Sequence, residues 1–334
     1  MNYKTTRADG GVANAAAVNP PEMREVYARE LSRMAEEDER IVVLDADLMR
    51  ANGTATFRER FPERHIDVGV AEANMIGVAA GLSTLGLIPF PGTFTCFAAR
   101  RAFDQFFISA NYARQNVKLT GTDPGVAAAY NGGTHMSFED IGLMRTIPRI
   151  VICEPSDPVS LAALLPQIAY RRGSSYLRLH RKPIAPLYAQ SEDFEIGKGK
   201  VISEGNDLTI IGTGAIMVAE AIRAAELLAG YGVSTRVIDM HTIKPIDEQL
   251  VIDAARRTGA ILTAENHQAS TGLGSAVAEV LTEHFPVLQT RVGVQEEFGE
   301  VGTQEYLQKR FGLTADNIVE RAHQLLARKA ARVL

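Results

Sequence analysis

The sequence predicts an α/β protein of two domains, a larger one built on a parallel sheet and a smaller α/β one after it. Short apolar runs of strand length, such as Ile41-Val42-Val43-Leu44 and Ile150-Val151-Ile152-Cys153, alternate with segments of helical period, the pattern of a parallel sheet with crossover helices. The alternation loosens between Lys182 and Lys200, where Pro183, Pro186, Gln190-Ser191-Glu192-Asp193 and Gly197-Lys198-Gly199 interrupt it, and then resumes. The 334 residues suffice for two domains of ordinary size. The expected organisation is an arm over residues 1–20, a first domain over 21–187, a linker over 188–200 and a second domain over 201–334.

In chain order, the pattern predicts a helix over Met23–Glu37, the strand Ile41–Leu44, a polar loop over Asp45–Thr54 and a strand near Ile66–Val68. A strand at Leu87–Phe90, a helix over Phe97–Arg114 and a strand at Val117–Thr120 follow, the last feeding a long glycine-rich loop. After the strand Ile150–Cys153, Pro155-Ser156-Asp157 caps a helix, and Tyr176–Leu179 is the last strand of this half. The second domain reads as strands at Leu208–Ile211, Val233–Asp239 and Ala260–Ala264, with helices over Met217–Leu228, Glu248–Arg257 and Ser275–Thr282. Its Gly212-Thr213-Gly214 turn invites a dinucleotide-binding reading, but Met217 stands where the third glycine should, so a tight strand-to-helix turn explains it better.

The stretch from Asp67 to Gly81 stands out. Glu72 opens a helix made almost wholly of small or apolar residues, which predicts a buried, closely packed segment. A carboxylate there is costly to desolvate unless something specific meets it, although the helix N-terminus helps to hold its charge. From the residues alone, Glu72 is either an N-terminal helix charge or a catalytic carboxylate.

With 46% hydrophobic and 22% charged residues, the composition is that of an ordinary globular protein. A net charge of -5 gives no electrostatic case for nucleic acid or an anionic membrane. No apolar run reaches membrane-spanning length, and Met1–Pro21 lacks the apolar core of a signal peptide, so a cytoplasmic location is expected. The two cysteines, Cys96 and Cys153, suit a reducing compartment; Cys153 belongs to a core strand, and Cys96, between phenylalanines, could line a pocket.

Six segments in this order and spacing resemble the C-terminal half of transketolase, a pyrimidine-binding domain followed by a small C-terminal domain. They are Gly69-Val70-Ala71-Glu72, Gly92-Thr93-Phe94-Thr95-Cys96-Phe97, Gly132-Gly133-Thr134-His135, Leu177-Arg178-Leu179-His180-Arg181, Ile238-Asp239-Met240-His241-Thr242-Ile243-Lys244-Pro245, and Ala264-Glu265-Asn266-His267 with Gly272-Leu273-Gly274. Such halves occur as separate subunits in split transketolases, and the resemblance covers nearly everything from about Pro21 onward.

The resemblance implies the thiamine-diphosphate fold and transfer of a two-carbon ketol unit from a ketose donor to an aldose acceptor. It assigns Glu72 to hydrogen-bond the cofactor's aminopyrimidine ring with a raised pKa, favouring the imino tautomer that takes the C2 proton. It sets Phe94 and Phe97 against that ring and brings Asp47 and Leu48 near the cofactor's rings. His135 would contact the donor's oxygens and move protons, and Arg181 would bind a terminal anion with its planar fork. Taken alone, the phenylalanines could be core, His135 a loop residue, and Arg181 a surface charge in the cluster Arg178-His180-Arg181-Lys182. The glycines before His135 would allow close backbone packing near a cofactor, which favours catalysis.

The departures from the family pattern cluster on the substrate side. Where the family commonly carries Gly-Glu-Asp-Gly, this chain reads Ala129-Tyr130-Asn131-Gly132; Asn131 can hydrogen-bond a donor hydroxyl but brings no charge. A phosphate-holding histidine aligns with Asp123, which would repel a phosphate, and a phosphate-contacting serine aligns with Ala51. A sugar other than the ordinary pentose-pathway phosphates is therefore expected: free, sulfonated or otherwise modified.

The chain also lacks the family's Gly-Asp-Gly motif, so no metal ligand is expected in it. Mg²⁺ or another divalent ion prefers oxygen ligands and the cofactor's phosphates. It would be held by an N-terminal, thiamine-diphosphate-binding partner subunit, with two of each chain in the assembly and the cofactor between the chains. Two other readings compete: the β subunit of a 2-oxo acid dehydrogenase or a deoxyxylulose-phosphate-synthase-like enzyme, and a non-catalytic paralogue. Thr134-His135 and the histidine of Glu265-Asn266-His267 favour transketolase over the first. Retention of Glu72, the phenylalanines and His135 argues against the second. His241 and His267 are either structural or near the site mouth.

Overall fold

A computed structural model describes residues 20–331, so the arm expected over residues 1–20 lies, Pro20 aside, outside the described residues. The first sheet is built from β1 (Ile41–Asp45), β2 (His65–Asp67), β3 (Ile88–Phe94), β4 (Lys118–Thr122), β5 (Val151–Cys153) and β6 (Ser175–Leu179). The second contains β7 (Lys200–Ser203), β8 (Leu208–Gly212), β9 (Thr235–Asp239), β11 (Ala260–Gln268) and β12 (Leu288–Val294). β10 (Thr242–Lys244), although it follows the linker in sequence, joins the first sheet, whose order is β10-β5-β6-β4-β3-β1-β2. The second sheet runs β12-β11-β8-β9-β7. Both are parallel α/β sheets with one antiparallel edge, β10 on β5 and β7 on β9. The parallel strands β1, β5, β6, β8 and β9 are buried along their whole length; β1, β5 and β8 accordingly read as mostly apolar runs, while β6 and β9 bury Arg178 and Arg236.

The helix Met23–Glu37 forms as expected and buries Met23, Val26, Tyr27, Leu31 and Met34 against the first sheet's core. Asp157 caps Pro158–Tyr170 through a capping box with Ser160. Three expectations need correction. The helix Phe97–Arg114 is a chain of three pieces, Thr95–Arg100, Phe103–Gln105 and a π-helical Phe106–Tyr112, because Ala102 leaves helical dihedrals (φ -108°, ψ 2°). The loop Asp45–Thr54 contains a short helix, Met49–Asn52, held by Asn52 Nδ2 and Thr54 Oγ1 donating to the buried Asp45 carboxylate at 2.7 and 2.5 Å. The helix Glu72–Thr84 is buried on one face only: Met75, Ile76, Ala79 and Ala80 form the buried stripe, while Asn74, Gly77 and Gly81 are exposed. The turn at Gly214 is tight, as expected: a Cβ there would strike the Glu154 carboxylate.

The two sheets meet at a buried charged joint. Arg178 on β6, within the basic cluster Arg178-His180-Arg181-Lys182, is fully buried. Its Nε donates to Asp140 at 2.7 Å, its Nη1 to Glu154 at 2.5 Å and its Nη2 to the Asn266 carbonyl at 2.8 Å. Glu265 beside it accepts from Leu273 N and Gly274 N at 2.7 and 2.8 Å, at the start of the helix Leu273–His284. Burial pushes the Glu265 carboxyl up to about 8, against the pull of those two donors; Asp239, bonded by Ser156 and Tyr188, is pushed to about 7.

These carboxyls are raised in the fold above their unfolded values. Their contribution to stability is therefore complete below about pH 4 and is lost as pH rises to about 8. Urea midpoints are expected to fall between about pH 5.5 and about pH 8, and Glu265→Gln is expected to flatten that slope.

Candidate active site

β3 ends at Phe94, which caps the helix Thr95–Arg100, so Phe94 and Phe97 lie one turn apart with ring centroids separated by 6.1 Å. Both rings are half-buried. The edge of His135 meets them at 5.2 Å (Phe97) and 6.2 Å (Phe94). Arg101, just past the helix end, stacks its guanidinium 4.0 Å over Phe97 and donates from Nη1 to the Glu72 carboxylate at 3.1 Å. On the other side, the Arg181 guanidinium sits 5.4 Å over Phe94, and its Nε lies 2.7 Å from Asp123. One continuous strip results: Glu72, Arg101, Phe97, His135, Phe94, Arg181, Asp123.

The sequence reading left open what meets the buried Glu72 carboxylate; in this fold it is Arg101. The Phe97–Arg101 spacing of four residues on a helix is the signal that could have found it. Thr134 Oγ1 bonds His135 Nδ1 at 2.9 Å, which leaves Nε2 as the nitrogen able to face a ligand.

Three expected site residues join the strip through no side-chain contact. Asp47 is exposed and left-handed (φ 61°), held by its backbone N–H donating to Asp67 at 3.0 Å. Leu48 is half-buried in the same loop, and Asn131 is exposed at the end of the turn Gly125–Asn131. The glycines before His135 pack closely, as expected, and the neighbour is the second domain. A Cβ on Gly133 would run into the Gly299 carbonyl, and one on Gly132 would meet Val301 at 2.8 Å. These glycines therefore admit a loop of the second domain.

The second domain grips the loop that joins Asp123 to His135. Asn266 Oδ1 accepts from Val126 N at 3.0 Å, and its Nδ2 donates to the Pro124 carbonyl at 2.9 Å. Gly125 between them is left-handed (φ 52°) and pressed against Asn266, so no larger residue fits. Gln268 N donates to the Phe138 carbonyl at 2.9 Å, and Gly142 N to His267 Nε2 at 3.4 Å. His267 and His241 are both buried, and burial lowers their pKa values, that of His267 to about 4. Cys96 and Cys153 are buried thiols pushed up to about 11 and about 12, which excludes a thiolate nucleophile near neutrality. Among the described residues, no group of three or more His, Cys, Asp or Glu side chains is placed to hold a metal ion.

A buried carboxylate edged by half-buried aromatic rings suits a flat, nitrogen-bearing ring, and the α/β domain that presents it at its strand ends is of the cofactor-binding class. Residues 19–185 match the family model of the transketolase pyrimidine-binding domain and residues 197–318 that of the transketolase C-terminal domain; the chain belongs to the transketolase family.

It is 51% identical over 310 residues to a Clostridium protein named 6-deoxy-6-sulfo-D-fructose transketolase subunit SqwH, covering 93% of this chain and 96% of that one. It is 40% identical over 302 residues to the putative transketolase C-terminal section of Methanocaldococcus jannaschii, covering 90% and 94%. Rat transketolase is 33% identical over 329 residues, but this chain covers only 52% of it, about half of a full-length enzyme. A solved structure described as a split gene transketolase, inactive beta4 tetramer, superposes with a TM-score of 0.85 at 42% identity, covering 92% of this chain and 98% of that one. The family implies thiamine diphosphate and a divalent metal.

Asn266→Ala removes both partners of the Pro124–Val126 backbone. It is expected to lower stability by about 1–3 kcal/mol, read from chemical unfolding of this chain.

Proposed function

We propose that this chain is one subunit of a two-chain, thiamine-diphosphate-dependent transketolase, and that its ketose carries a sulfonate where the ordinary substrate carries a phosphate. The observation that carries the ketol-transfer reading is the strip from Glu72 to Arg181, in which carboxylate, aromatic pair, histidine and anion-binding arginine stand in sequence. The substrate class is supported by the 51% identity to the sulfofructose transketolase subunit, and by Asp123 and Ala51 standing where the family's phosphate contacts align.

The residues fit the cofactor's pyrimidine. Phe94 and Phe97 offer an apolar wall, and Glu72 is within reach of a ring nitrogen once Arg101, whose side chain is 51% exposed, swings toward water. When bound, thiamine diphosphate supplies the nucleophilic carbon that takes up and passes on the two-carbon unit. Glu72 would hydrogen-bond the pyrimidine ring and hold its tautomer. His135, oriented by Thr134, would use Nε2 to move protons at the ketose's oxygens. Arg181 would draw in the terminal anion. Asp47 and Leu48 would border the cofactor from their loop, and Asn131 would bond a donor hydroxyl.

The diphosphate and its Mg²⁺ would be held by the N-terminal partner subunit, since this sequence lacks Gly-Asp-Gly; an assembly of two chains of each kind follows from family precedent. A cytoplasmic location is supported by two buried, unbridged cysteines.

Co-expression with the N-terminal subunit, followed by a donor screen of free, sulfonated and phosphorylated ketoses read by aldehyde release, tests this. Activity is expected to need both chains, to be highest with the sulfonated ketose, and to fall by about 10²–10⁴-fold in Glu72→Ala. Full activity from this chain alone would overturn the split, and activity only on a 2-oxo acid would move it to the dehydrogenase β subunits.

A further inference from the structure

We propose that Asp123 sets the charge this site accepts at the sugar's far end, admitting a singly charged head group and turning away a dianion. The inference rests on the ketol-transfer reading above and deepens it to a specificity-determining residue.

Asp123 follows the last residue of β4 in a left-handed conformation (φ 55°), 2% exposed, and its carboxylate faces Arg181 Nε at 2.7 Å. The contact is one of charge: neither carboxylate oxygen, nor that Nε, has an aligned hydrogen-bond partner. Arg181 thus presents itself to a ligand with its charge already cancelled from behind. Arg181 Nη1 and Arg24 Nη1 both point at the Ala51 carbonyl, at 3.4 and 3.3 Å, so Arg24 is the second cation of the cluster; Glu22 pairs with it at 2.5 Å. Lys182 is the third, its Nζ donating to the Ala127 carbonyl at 3.0 Å. His180 adds no charge, because burial pushes it down to about 3.

Burial raises the Asp123 carboxyl against the pull of Arg181, Lys182 and Arg24, and the Arg181 guanidinium, which does not lose its proton, stands 2.7 Å away as the charge partner of its carboxylate. Three cations against two carboxylates leave one positive charge. A sulfonate brings one negative charge and balances it. A phosphate monoester brings about 1.5–2 near pH 7, leaving an excess beside a buried carboxylate that water cannot screen. Discrimination here comes from repulsion built against the wrong ligand.

The test uses the reconstituted two-chain holoenzyme. The readout is the ratio of kcat/KM for a 6-sulfo ketose to that for the matching 6-phospho ketose. Asp123→Asn, which tolerates the left-handed backbone, is expected to lower that ratio at least tenfold, a change of about 1.4 kcal/mol, chiefly by lowering KM for the phosphate. Asp123→Glu, which keeps the charge, is expected to hold the ratio on the sulfonate side. Without any variant, methanesulfonate is expected to compete with the sulfonated donor better than the dianion sulfate does.

Equal shifts in both variants would make Asp123 a hydroxyl acceptor or a packing element and overturn the proposal. So would an unchanged ratio in Asn, or tighter inhibition by sulfate. A wild-type enzyme that transfers ketol units yet prefers the phosphate would overturn it as well while leaving the ketol-transfer reading intact. Loss of all ketol transfer in wild type would instead strike that reading.

Discussion

Arg178 is fully buried, and that constraint orders the rest of the molecule. Its guanidinium is held by Asp140 and Glu154 from the first domain and by the Asn266 carbonyl from the second, so neither sheet can shift without stranding a buried charge. Because the same Asn266 also clamps Pro124 and Val126 with its side chain, the joint reaches directly into the loop that connects Asp123 to His135. Glu265, one residue earlier, anchors the start of the Leu273–His284 helix, and Gly272 must be glycine to let that carboxylate in. The second domain's contribution is therefore mechanical. Among the described residues no hydrogen bond, ion pair or ring contact joins one of its side chains to the strip, yet it fixes the path of the backbone on which Asp123 and His135 sit.

In the proposed function the strip is half of a site. Glu72 at one end is closed by Arg101, which is half exposed, and Asp123 at the other end closes Arg181. Each acidic group is neutralised by one guanidinium, and each guanidinium also stacks on one of the two phenylalanines. Such an arrangement tolerates the absence of a ligand without leaving a bare buried charge. The open face of the helix Glu72–Thr84, with Gly77 and Gly81 uncovered and Leu85 78% exposed just beyond it, is consistent with a chain whose apolar surface is completed by another subunit.

Much of this was legible in the residues. The strands β1, β5 and β8 declared themselves because burial on both faces forces a mostly apolar run, and Asp157 declared its helix because a capping box is local. What stayed hidden depends on distant partners. No local feature marks the break at Ala102 or the π-helical turn after it. Nothing near Thr242 says that β10 will pair across the linker with β5. Arg178 and Arg181 belong to one basic cluster, yet one is the core of the joint and the other lies over Phe94; β6 ends at Leu179 between them, and only the fold shows which is which. The glycines before His135 were read correctly as a demand for close packing, but the sequence could not say that the close neighbour is Gly299.

The central claim is that this chain holds the pyrimidine side of a cofactor site and needs another chain for the rest. Binding of thiamine diphosphate with Mg²⁺, measured by calorimetry on this chain alone, on the N-terminal partner alone and on the mixture, tests it most directly. Tight binding by the mixture only, weakened at least tenfold by Glu72→Ala, is the predicted result. Equally tight binding by this chain without a partner, or by the mixture irrespective of residue 72, would contradict it.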